Sequence, residues 1–141
     1  MNPILKNVLA VVAGLLIGLS VNMALIMISG SIIPPPEGSD LTTNEGLLEA
    51  MKIMEPKHFI MPFLAHALGT LAGAFVIAKI AASYKLVFTL AIGALFLYGG
   101  IIMVQSLPSP VWFNVLDLVV AYIPMAFLGW KLGSKKAVSA N

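Results

Sequence analysis

Apolar residues run in four long blocks, at about 8–33, 58–80, 86–106 and 111–131, and polar or proline-rich breaks separate them. An α-helix rises about 1.5 Å per residue, so about 20 apolar residues cross the ~30 Å hydrocarbon layer of a bilayer. Each block is long enough. The pattern predicts an all-α chain: a left-handed antiparallel four-helix bundle embedded in a membrane, as one domain over 1–141. The first block exceeds the ~7–15 residues of a signal-peptide core, so it reads as a retained span.

The breaks carry their own signals. Pro34, Pro35 and Pro36 remove successive backbone donors and stop the first helix. The stretch 81–85 between the second and third blocks is short enough to force an antiparallel return. Leu107 and Ser109 each precede a proline and are pushed towards extended geometry, which marks a tight turn. In the longest break, Thr42 and Glu45 have capping-box spacing, and Leu47, Leu48, Met51 and Met54 recur at helical intervals until Pro56. This predicts a short amphipathic helix over about 43–55, lying on the membrane surface.

Inside the blocks, small residues recur at helical spacing. Gly14 and Gly18 form a GxxxG pair, and Gly69 with Gly73 and Gly129 with Gly133 repeat the spacing. Lipid offers no hydrophobic drive between helices, so such residues mark close helix packing. The Gly14/Gly18 and Gly129/Gly133 seams are candidate contacts for a second copy of the chain or another membrane protein.

Composition agrees with the pattern. The chain is 60% hydrophobic and 10% charged, where a soluble domain carries about 25% charged residues. All basic residues are lysines, and their placement sets an orientation. Lys6, Lys79, Lys85, Lys131, Lys135 and Lys136 fall on one side, Lys52 and Lys57 on the other. The lysine-rich side is expected to be cytoplasmic, with both termini inside and the chain in a plasma or inner membrane. Trp112 and Trp130, about 27 Å apart along a helix, suit the two interfaces.

Few polar groups lie within the blocks, and those few carry any chemistry. Asp117 is the one acidic residue outside the first loop. It falls about 9 Å below the outer end of its helix, and His66 about 12 Å below the outer end of the second. Asn22 lies a little deeper on the first span, and Asn114 shares a face with Asp117. These four form the candidate polar cluster, either a satisfied network that fixes how the helices pack or a ligand-binding or proton-relay site, since ionisable groups in a membrane face protein or water and pair with one another. Tyr98, near the middle of the third span, needs a hydrogen-bond partner of its own.

With no cysteine, disulfides, thiolate metal sites and thiol nucleophiles are excluded. For a metal the remaining candidates are His58, His66, Met23, Met27 and Glu55, the thioethers suiting Cu(I). No metalloprotease, hydrolase or nucleotide-binding motif is present. No catalytic residue or cofactor is assigned, and no nucleic-acid partner is expected. The leading expectation is a small non-enzymatic membrane module that binds a partner or self-associates. The alternative is a small carrier or channel-like protein for a solute, proton or metal ion, using His66 and Asp117, with a membrane enzyme third.

Overall fold

The computed structural model describes residues 1–134. It contains four helical stretches long and apolar enough to cross a membrane, at Pro3–Ile32, Pro56–Ile80, Lys85–Ser106 and Val111–Ser134. This is a small multi-span helical membrane protein. The helices are α1 (Pro3–Ile32), α2 (Asn44–Ile53), α3 (Ile60–Ile80), α4 (Lys85–Ser106), α5 (Val111–Val120) and α6 (Ile123–Ser134), with a single 3₁₀ turn over Pro56–Phe59 leading into α3. Lys135 and Lys136, which enter the orientation argument, lie outside the described residues.

The fourth apolar stretch, expected as one helix over 111–131, is two. It breaks at Ala121 and Tyr122, where α5 gives way to α6. Pro124 supplies the cause, because it has no N–H to donate and its ring disfavours helical geometry in the residue before it. The ladder resumes at once, with Ala126 N–H donating to the Tyr122 carbonyl at 2.8 Å.

α3 is the hub. Gly14 and Gly18 on α1 face Gly73 and Gly69 on α3 in antiparallel register, and a Cβ added at Gly73 would lie 2.7 Å from the Gly14 carbonyl oxygen. On its other side α3 meets α6 in parallel register: a Cβ at Gly129 would fall 2.6 Å from the Leu71 carbonyl oxygen, and one at Gly133 2.7 Å from that of Phe75. The glycines thus let helix backbones touch within the chain. Both seams singled out as surfaces for a second copy are already filled by α3, and all six glycines are buried. α4 closes a tight three-helix unit with α3 and α6, and α1 lies along α3 with little contact to α4.

Two features tie the ends. At the α1 N-terminal end, the Asn7 amide donates to Ser83 Oγ at 3.0 Å and its carbonyl accepts from the Ala82 N–H at 2.8 Å, pinning α1 to the turn between α3 and α4. At the opposite end, Phe59 packs on Phe113 with ring centroids 4.9 Å apart and meets Trp112 edge-on at 5.8 Å, joining the start of α3 to the start of α5.

The loop between α1 and α3 differs in detail from its expected cap. The N-cap of α2 is Thr43, whose hydroxyl accepts from Gly46 N–H at 3.1 Å. Thr42 instead joins a turn, its N–H and hydroxyl both donating to Asp40 Oδ1. Those bonds, the side-chain one first, favour the ionised carboxylate and hold Asp40 below the usual carboxylate range.

Candidate functional site

His66 and Asp117 stand on different spans, one two turns into α3 and the other at the lower end of α5, and their side chains meet. His66 Nδ1 lies 2.9 Å from Asp117 Oδ1 and 3.0 Å from Oδ2. A carboxylate only accepts, so this contact places a ring proton on Nδ1; in the neutral ring Nε2 is then an acceptor. Tyr122 completes the group: its hydroxyl donates to Asp117 Oδ2 at 3.0 Å, and its ring stacks on the imidazole at 5.8 Å between centroids.

Sequence reasoning missed Tyr122. Five residues of unbroken helix turn the chain by about 500°, which would point Tyr122 some 140° away from Asp117. The break at Ala121 and Tyr122 re-aims the ring onto the carboxylate. Pro124 is the signal that could have found it. Tyr98, the tyrosine expected to need a partner, is instead 63% exposed on the outside of α4.

Burial divides the pair unequally. Asp117 is 2% exposed, while the His66 side chain keeps 23% of its surface open. That open surface lines two adjoining cavities. The lower, of about 310 Å³, lies between α1, α3 and α4. The upper, of about 570 Å³, extends from Asp117 to the underside of α2, where Leu47, Met51 and Met54 form its roof. Asn22, His66, Gly100 and Met103 line both, so the two meet at His66.

The remaining candidates are placed as follows. Asn22 faces both cavities beside His66, and its amide makes no hydrogen bond with any described residue. Asn114 lines the upper cavity but is not bonded to Asp117. It accepts from the Ser109 hydroxyl at 2.5 Å and donates to the Ser109 carbonyl at 3.3 Å, closing the turn that starts α5. The five metal candidates are not gathered. His66, Met23 and His58 line the upper cavity, but Met27 is 76% exposed and Glu55 is paired with Lys57 at 3.1 Å. Both His58 nitrogens are engaged, Nδ1 accepting from the Glu55 N–H at 2.9 Å and Nε2 donating to the Pro34 carbonyl at 3.1 Å. Among the described residues, no group of three or more His, Cys, Asp or Glu side chains is placed to hold a metal.

Comparison of the chain with protein families, curated proteins and solved structures finds no match. The reading of the site therefore rests on its geometry.

This geometry has two chemical capacities. The Asp117–His66 contact orients the imidazole, and in the neutral ring Nε2 is left to accept a hydrogen bond. The cavities beside it are apolar over most of their walls with a few convergent polar groups, which is the character of a small-molecule pocket.

Proposed function

We propose that the protein is a small membrane-embedded binding module of carrier type, which takes an amphiphilic solute into the joined cavities and holds its polar end at His66. One observation carries the reading. His66 Nε2 and the Asn22 amide are polar groups with no hydrogen-bond partner among the described residues, and both residues line the two largely apolar cavities where these meet. Unpaired polar groups away from bulk water are costly, and a solute with a matching head would satisfy them.

The broken fourth span supports a carrier over a packing device. Discontinuous helices in membrane carriers place freed backbone and re-aimed side chains at the bound solute, and here the break falls beside Asp117. Self-association through the glycine seams has lost its surface, since both are consumed inside the chain. In the orientation set by the lysines, both termini are cytoplasmic, the upper cavity lies in the outer half of the bilayer, and α2 rests at the outer surface above it. Solute then enters from the outer leaflet, between α1 and α4.

Native mass spectrometry of protein released from a mild detergent tests the reading. The wild type should carry a small-molecule adduct that His66→Leu and Asn22→Leu lose. A wild type that flies bare under conditions that preserve annular lipid would overturn it.

A further inference from the structure

We infer that the head of the bound amphiphile is a protonated amine. The inference rests on the binding reading above and assigns the chemistry of its polar end. The donors of the wall are spent inward. Tyr122 O–H and His66 Nδ1–H go to Asp117, Thr70 O–H to the His66 carbonyl at 2.8 Å, and Ser29 O–H to the Ile26 carbonyl at 2.6 Å. Ser109 and Asn114 donate to each other, and His58 donates to Pro34.

What remains facing the space, among the side chains of the described residues, is the Nε2 lone pair of the neutral His66 ring and the carbonyl of Asn22 as acceptors, with the Asn22 NH₂ and the second N–H of Asn114 as donors. A head that donates can use Nε2 and the Asn22 carbonyl together. An anion would find amide donors but no countercharge, because among the described residues neither cavity is lined by a lysine.

The charge of the site then selects among donors. Among the described residues Asp117 is the one carboxylate lining either cavity, and it stands directly behind the His66 ring. An ammonium N–H donating to Nε2 is backed through the imidazole by that carboxylate, so the solute's charge is countered inside the bundle. Two more ammonium hydrogens remain, one of them within the chemistry of the Asn22 carbonyl. An alcohol head gains the hydrogen bond without the charge. The apolar body lies along the upper cavity, whose volume of about 570 Å³ accommodates a medium-length chain or a compact ring system.

The test ranks three probes of equal chain length, decylamine, decanol and decanoic acid at neutral pH, by their effect on the thermal unfolding of the purified full chain in maltoside micelles. Decylamine should bind at least about tenfold more tightly than decanol, and decanoate should not bind. In Asp117→Asn, which keeps the shape but removes the charge, the preference for the amine over the alcohol should fall to near equality. His66→Leu should lose both. If decanol or decanoate matches decylamine on the wild type, the amine assignment is wrong while binding at the cavity stands. If no probe shifts unfolding, the binding reading itself fails. The wild-type ranking decides the matter even if Asp117→Asn does not fold.

Discussion

The contact between His66 and Asp117 can be weighed by removing each partner and then both. His66→Leu leaves a carboxylate that is 2% exposed with the Tyr122 hydroxyl as its only remaining side-chain donor among the described residues. Stranding a buried charge in this way costs about 3–5 kcal/mol. Asp117→Val should cost less, about 1–3 kcal/mol, because the imidazole it strands still faces the cavity and can be hydrated there. The double variant removes the charge and its partner together, so the penalty for an orphaned carboxylate disappears. The sum of the single costs should exceed the double cost by about 1–3 kcal/mol. Interhelical hydrogen bonds in lipid run smaller, about 0.6 kcal/mol on average, so a coupling above 1 kcal/mol would reflect the charge and not a generic polar contact. Reversible unfolding in mixed maltoside and dodecyl sulfate micelles gives the four free energies. A coupling below about 0.5 kcal/mol, or Asp117→Val costing more than His66→Leu, would refute the reasoning.

Other outcomes follow from the same structure. Gly73→Ala, whose Cβ would meet the Gly14 carbonyl oxygen at 2.7 Å, should destabilise by about 1–3 kcal/mol, whereas Gly99→Ala, with nothing within 4 Å, should be neutral or stabilise by up to about 1 kcal/mol; micelle unfolding compares them directly. Asp40 has its folded pKa depressed by its bonds to Thr42, so their contribution is present above the ordinary aspartate value of 3.8 and lost as pH falls through the still lower folded value. The Thr42 amide resonance should therefore stay constant down to about pH 4 and move only below it, and a midpoint at or above 3.8 would contradict the turn. Single cysteines at Glu37 and Ala82, both exposed, should be labelled from opposite faces of a sealed membrane, Glu37 from outside; labelling of both from one face would remove the topology. Tyr122→Phe should cost about 1 kcal/mol alone and more in a His66→Leu background, where Tyr122 is the last side-chain donor to Asp117 among the described residues.

Much of this fold is written locally, and so it was legible. Apolar block length gives the spans, three consecutive prolines give the end of α1, and glycine spacing marks where backbones approach. Which helix each glycine meets is a tertiary fact. Gly14/Gly18 and Gly69/Gly73 carry the same signal, and nothing in either says that they face each other and not a second copy. The site shows the same division. Depth arithmetic sets His66 and Asp117 at one level, because rise per residue is nearly constant in a helix. It fails for Asn114, which shares a helical face with Asp117 but is drawn off by Ser109, a local competitor in the preceding turn. It fails for Tyr122 as well, because angular bookkeeping assumes an unbroken helix.

The cavities and the tight seams have one origin. Glycines at 69 and 73 bring α1 onto α3, and those at 129 and 133 bring α6 onto it, so that carbonyl oxygens lie where a Cβ would otherwise stand. Space so consumed on two sides of α3 leaves none there for a solute. α4 packs differently. It meets the fourth span through Gly93, against Ala126, and Gly100, against the Tyr122 ring, and this holds it beside α6, while towards α1 its Phe96 reaches Gly18. The crevice between α1 and α4 is thus the remainder after the other interfaces have closed, and His66 sits at the point on α3 that faces it. A side chain added at Gly73 should therefore act at a distance, shifting α1 and altering the crevice near Asn22 without touching the Asp117–His66 contact. Solute affinity should fall in Gly73→Ala while the coupling between His66 and Asp117 is retained, a separation that a purely structural polar network would have no reason to produce.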